Sequence, residues 1–198
     1  MLRNPVDRAY SQYWMSVRRG FEDLPFMEAL RIERNRIQRD DFSFNHFSYI
    51  ERGRYATLVK QFLKYFQMEN MRFIIFETDF LKDSEATVQD LVQWIGVSII
   101  PLRLGIQSNS ATMFHSHFVT KFVHQTNAVR KIGKLLIPFQ SVRRKIMLAM
   151  DKWNQVPLVK PELTKKERAY VYNSFFKSEI SELEAVIGRS LDHWREID

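Results

Sequence analysis

Leu2-Arg3-Asn4-Pro5-Val6-Asp7-Arg8-Ala9-Tyr10-Ser11-Gln12-Tyr13 is the stretch whose reading decides the fold. It reads as the end of a strand running into a helix. Asn4 suits the N-cap, Pro5 suits the first helical position because it has no N–H to satisfy there, and Asp7 places an acid in the first turn. From Val6 onward, apolar residues recur at Ala9, Tyr10, Tyr13, Trp14 and Val17, the spacing of a helix laid on a core. Arg3, Arg8 and Ser11 are then left to face a site beside the helix N-terminus, where free N–H groups and the helix dipole attract anions. A phosphate is the expected guest.

Composition sets the outer bounds. The chain has 198 residues, 45% of them hydrophobic and 14% aromatic, enough for one domain with a sizeable core and too apolar for disorder. Thirty Lys and Arg against 23 Asp and Glu give a net charge of +7, which points to an anionic partner: a nucleotide, an acidic glycan, nucleic acid or a membrane surface. Without cysteine there are no disulfides, no Cys-based zinc sites and no thiol nucleophile. No apolar run approaches the roughly 18 residues of a membrane span, and no signal peptide precedes the first motif. The expectation is a soluble, cytoplasmic protein.

Further along, Gly20 stops the first helix and Pro25 opens a second, with Phe26, Leu30 and Ile37 inward and Arg34, Arg36 and Arg39 on a polar face. Residues 40–52 are aromatic and polar without a sustained period, which predicts a loop with a short helical turn. A helix follows with Tyr55, Leu58, Val59, Phe62 and Phe66 as its stripe. Met71-Arg72-Phe73-Ile74-Ile75-Phe76-Glu77 reads as a complete strand, short, apolar and β-branched. Glu77 and Asp79 stand at its carboxyl end, where such acids commonly cap the next element. Asp83 or Ser84 caps a helix whose buried stripe is Val88, Leu91, Val92 and Ile95, ended by Gly96. Thr164-Lys165-Lys166-Glu167 is a capping box opening the last long helix, with Ala169, Tyr172, Phe176, Ile180, Leu183 and Ile187 inward and Gly188 as its stop. Alternation of strand and helix predicts an α/β fold: a parallel sheet flanked by helices, helix-rich, with ligands at the strand ends.

The segment Leu-Arg-Asn-Pro-x-Asp-Arg-Ala-Tyr-Ser-x-Tyr resembles the 3′-phosphate-binding segment of sulfotransferases that use 3′-phosphoadenylyl sulfate (PAPS), especially the heparan-sulfate type. Gly53-x-Tyr55, Glu77 to Leu81, Trp94-Ile95-Gly96-Val97 and the ending Ile187-Gly188-Arg189-Ser190-Leu191-Asp192-His193-Trp194 extend the resemblance over most of a single domain, 1–198. It implies a P-loop-like fold, sulfuryl transfer from PAPS to a hydroxyl or amine acceptor such as a glycan, adenosine 3′,5′-bisphosphate as product, and no metal. It implies that Arg3 and Ser11 hold the 3′-phosphate, that Gly53 and Tyr55 lie near the acceptor, and that Arg34, Arg36 and Arg39 are candidates to contact an acidic one. Where some members carry a nucleotide-contacting tyrosine before the glutamate, this chain has Phe76.

Two departures accompany it. The family's Lys-Gly-Thr loop for the 5′-phosphosulfate and its general base precede the Arg-Ser segment, and only Met1 and Leu2 do so here. The expectation is an N-terminally truncated, incomplete or inactive domain. Residues 99–160 are unplaced: His115-x-His117 lacks a third ligand at metal-binding spacing, and Arg130, Lys131, Lys134, Arg143, Arg144 and Lys145 form basic clusters without assigned partners. The competing reading is a non-catalytic basic module for a nucleotide, an acidic glycan or nucleic acid; no recognisable nucleic-acid motif supports the last.

Overall fold

A computed structural model describes residues 1–97, 112–114, 141–142, 144–146, 148–149, 155–157 and 161–196. Helix α1 (Pro5–Arg18) starts as its sequence predicts: Asn4 Oδ1 accepts from the Val6 N–H at 3.0 Å and more weakly from that of Asp7 at 3.5 Å, with Pro5 at the first position. Its inward face buries Val6, Ala9, Tyr10 and Tyr13. Gly20, at φ +68°, turns the chain out of the helix, a conformation open to a residue without Cβ.

Helix α2 (Phe26–Ile37) follows Pro25 and buries Phe26, Ala29 and Leu30 against α1 and α3. Helix α3 (Asp41–Phe47) runs for seven residues where a loop with a short helical turn is predicted; the Asp40 carboxylate caps it by accepting from Ser43 N at 2.7 Å. The turn Glu51–Gly53 leads into α4 (Tyr55–Phe62), which buries Tyr55, Ala56 and Val59. Phe62 and Phe66, predicted to be inward, are 58% and 53% exposed, because α4 ends at Phe62 before that stripe is covered.

The parallel sheet expected from the sequence is not present among the described residues. They hold a helical fold with one short antiparallel pair, β1 (Thr112–Phe114) and β2 (Gln155–Pro157), in which Met113 faces Val156. Met71 and Ile75 have extended backbone, but the stretch pairs in parallel only at one bridge, Leu2 with Ile75, through Leu2 N to Ile74 O and Phe76 N to Leu2 O, both 2.7 Å. The physical reason lies on both sides of the bridge. Asn4 and Pro5 coil the first segment into α1 immediately after Leu2. On the other side, Phe76–Phe80 winds into a π-helical turn, and the Ile75 N–H and C=O are taken by Asp79 Oδ2 and the Asp79 N–H. No ladder can propagate from groups already used.

Helix α5 (Ser84–Trp94) is capped by Asp83 as predicted, yet none of its residues is fully buried; Val88, Leu91 and Val92 are half-buried and Ile95 is exposed. The capping box of Thr164 and Glu167 opens α6 (Lys165–Val171), which continues through a π-helical stretch, Tyr172–Phe176, into α7 (Lys177–Ile187). Gly188 ends α7 at φ +65°. Tyr172, Phe176, Ile180 and Leu183 reach the same core as α1, α2 and α4, and Leu191 and Trp194 close it from the C-terminal side. No described helix is long and apolar enough to cross a membrane.

Candidate functional site

The start of α1 offers no free backbone donors. Pro5 has no N–H, Asn4 Oδ1 takes those of Val6 and Asp7, and Arg8 N reaches Asn4 O at 2.9 Å. The amide of Asn4 itself donates to Glu77 Oε1 at 2.8 Å. The anion site expected from helix-terminal amides is therefore closed, and any attraction for a phosphate comes from side chains.

Arg3 is half-buried, with its guanidinium carbon 5.3 Å from the centre of the Phe76 ring. Among the described residues it has no ion-pair partner. Ser11 is also half-buried, and its hydroxyl has no hydrogen-bond partner among the described residues. Ser11 lies roughly 10 Å along the α1 axis from Asn4. No hydrogen bond joins it to Arg3, so an anion touching both would lie beside the first two turns. Asp7 is one turn before Ser11 on the same face, and its charge is met by Arg168 Nη2 at 2.6 Å from α6.

Arg8, the third expected ligand, is diverted inward. It donates to Gln12 Oε1 at 2.7 Å and to the carbonyls of Ser48 and Tyr49. Burial holds its pKa below the usual arginine value. On the next stretch of the same segment, the Glu33 carboxylate of α2 accepts the N–H groups of Ile50 at 2.7 Å and Glu51 at 2.8 Å. Residues 48–51 are thus strapped between a cation holding their carbonyls and an acid holding their amides. Burial pushes the Glu33 carboxyl up to about 7 despite those two bonds. Nothing in the local sequence marks Glu33, because its partners lie 17 and 18 residues away.

Glu77 and Asp79 do not cap the following helix. Glu77 Oε1 holds Asn4, and its Oε2 accepts the indole N–H of Trp194 at 3.0 Å. Arg189 forks onto Asp79 through two bonds of 2.8 and 2.7 Å, which holds that carboxyl well below the usual range. Glu77 thus binds the C-terminal segment to the start of the chain, and Asp79 binds Arg189 to the backbone at Ile75.

Gly53 and Tyr55 are buried. A Cβ on Gly53 would meet Phe176 Cε1 at 2.8 Å and Pro5 Cβ at 3.3 Å, so the glycine is required by close packing. Tyr55 lies 6.0 Å, ring to ring, from Trp194, and burial pushes its hydroxyl pKa up. Arg36 is pinned over Phe47 at 3.6 Å and bonded to the buried Glu22 at 2.7 Å, which removes it from the acceptor candidates; Arg34 and Arg39 are exposed. Arg144 and Lys145 are exposed, while His115, His117, Arg130, Lys131, Lys134 and Arg143 lie outside the described residues. Among the described residues no three His, Asp or Glu side chains are grouped to hold a metal ion.

No family model and no curated protein matches the chain. A solved crystal structure does. It is that of a sulfotransferase from Alicyclobacillus acidocaldarius, with a TM-score of 0.60 and 28% sequence identity over 99% of this chain. The match covers 56% of that protein, so this chain spans little more than half its length. The likeness supports a sulfotransferase-like chain and carries no information about the heparan-sulfate type.

Proposed function

We propose that this chain is a sulfotransferase-type domain that binds the 3′-phosphate of PAPS and of its product, adenosine 3′,5′-bisphosphate, through Arg3 and Ser11. The observation that carries the reading is the 28% identity with a solved sulfotransferase along nearly the whole chain. The site is chemically consistent with it. A 3′-phosphate dianion needs a fork of donors that is not already committed, and the Arg3 guanidinium rests on an aromatic face with no carboxylate partner among the described residues. Ser11 adds a hydroxyl donor, and Arg168 neutralises the acid beside it.

When bound, PAPS supplies the sulfuryl group for an acceptor hydroxyl or amine, a glycan being the acceptor class proposed. The role assigned to this chain is positioning: it fixes the nucleotide by its 3′-phosphate so that the transferable group is held in line with the acceptor. Glu77 and Asp79 are committed to Asn4, Trp194 and Arg189, so neither is proposed as the base.

Isothermal titration calorimetry with adenosine 3′,5′-bisphosphate tests the reading. Wild type should bind, and Arg3→Ala should lose about tenfold or more in affinity, the scale of a charged hydrogen-bond pair. Equal binding by both, or none by wild type, contradicts it.

A further inference from the structure

Among the described residues the Arg3 guanidinium has no hydrogen-bond partner, so its direction depends on where its backbone is held and on the Phe76 ring beneath it. The backbone is held on both sides. Leu2, before it, exchanges two hydrogen bonds of 2.7 Å with Ile74 and Phe76. Asn4, after it, donates its N–H to Glu77 Oε1 at 2.8 Å. Glu77 is the residue next to Phe76, so the carboxylate grips the chain one position beyond the Arg3–Phe76 contact.

The other oxygen of the same carboxylate accepts the Trp194 indole N–H at 3.0 Å, and the carbonyl of Trp194 accepts from Asn4 Nδ2 at 3.3 Å. Asn4, Glu77 and Trp194 form a closed ring of three hydrogen bonds. Trp194 is 2% exposed and packed against Tyr55, so it is a fixed anchor. Only a carboxylate fits the middle of the ring, because both of its oxygens accept, whereas an amide presents one acceptor and one donor. His193 Nε2 is buried with no hydrogen-bond partner among the described residues, 4.0 Å from Glu77 Oε2, the oxygen that accepts the indole N–H.

We infer that Glu77 is a positioning residue for the nucleotide site: by joining Asn4 to Trp194 it fixes the Leu2–Asn4 segment that presents Arg3 to the 3′-phosphate. The inference rests on the nucleotide reading above. Its consequence is that recognition of a 3′-phosphate depends on the C-terminal Trp194, 191 positions from Arg3 in the sequence. A loosened origin leaves the arginine charged and present but spread over more directions, which weakens a geometry-dependent contact while leaving general charge attraction intact.

The test compares two ligands, adenosine 3′,5′-bisphosphate and adenosine 5′-phosphate, on wild type, Glu77→Gln and Trp194→Phe, with folding checked by circular dichroism and thermal melts. Glu182→Gln, on the exposed face of α7, is the control. Wild type should prefer the bisphosphate, and both Glu77→Gln and Trp194→Phe should cut that preference about tenfold while binding the monophosphate as wild type does. A purely structural role for Glu77 lowers the melting temperature and weakens both ligands equally, leaving the ratio unchanged; that result overturns the inference. Should Glu77→Gln fail to fold, Trp194→Phe, which keeps the carboxylate and its bond to Asn4, decides by the same ratio. A wild type without any preference for the bisphosphate contradicts the nucleotide reading itself, whereas a wild-type preference that both variants retain contradicts only the positioning role.

Discussion

Arg168 Nη2 lies 2.6 Å from Asp7 Oδ1, joining α6 to the first turn of α1. Asp7 suits a helix N-terminus, yet it stands one turn from Ser11 on the face where a phosphate is proposed to lie. The arginine removes a repulsion that the helix cap would otherwise impose. Arg168→Ala should therefore weaken adenosine 3′,5′-bisphosphate binding severalfold, while changing stability by no more than about 1 kcal/mol because the pair is partly exposed. Adding Asp7→Asn should restore the affinity. Calorimetry on the single and double variants checks this, and additive losses would contradict it.

Gly53 offers a packing test independent of any ligand. An added Cβ would stand 2.8 Å from the ring of Phe176, a side chain that is 0% exposed and cannot swing aside. Gly53→Ala should cost about 1–3 kcal/mol, the range of small overpacking substitutions, read as a lower urea midpoint at unchanged slope. Shortening the opposing ring with Phe176→Leu in the same chain should make the alanine less harmful than it is alone.

Glu33 predicts a stability profile of unusual sign for a carboxylate. Its native pKa of about 7 lies above the ordinary 4.5, so the proton is bound more tightly in the native chain than in the unfolded one. Its contribution is full below about pH 4.5 and is lost as pH rises through 7. The loss amounts to about 3 kcal/mol by linkage. Urea unfolding at pH 5 and pH 8 should show wild type losing ground relative to Glu33→Gln at the higher pH. A difference that stays flat across that interval would contradict the account.

Asp79 has the opposite sign. Arg189 and the Ile75 N–H hold its carboxyl below the ordinary value, so its contribution is present at neutral pH and is lost as pH falls below the normal carboxylate range. Arg189→Ala should flatten the acid side of the stability profile, measured by thermal melts between pH 7 and pH 3.

What could be read from the sequence was what neighbouring residues decide. Asn4 and Pro5, Asp83, the Thr164–Glu167 box and Gly188 all act within four positions of themselves, and each does in the structure what its chemistry predicts. Residues 71–77 show the boundary of that logic. Their β-branched run reads as a complete strand, but a strand needs a partner along its length, and composition does not say that Asp79 will occupy the backbone of Ile75. Arg8 looked available because helical spacing cannot reveal carbonyls at Ser48 and Tyr49. Glu77 reads as a cap for the next element for the same reason, since one of its actual partners lies 117 residues away. Arg3 and Ser11 are paired only through family resemblance, while Arg168, which meets the charge of Asp7 one turn before Ser11, carries no local signal.

The most direct measurement is a crystal structure of the chain with adenosine 3′,5′-bisphosphate. The 3′-phosphate oxygens should lie within about 3 Å of both the Arg3 guanidinium and the Ser11 hydroxyl, beside the first two turns of α1. A 3′-phosphate left in solvent, or held by another cationic patch such as Arg144 and Lys145, would contradict it.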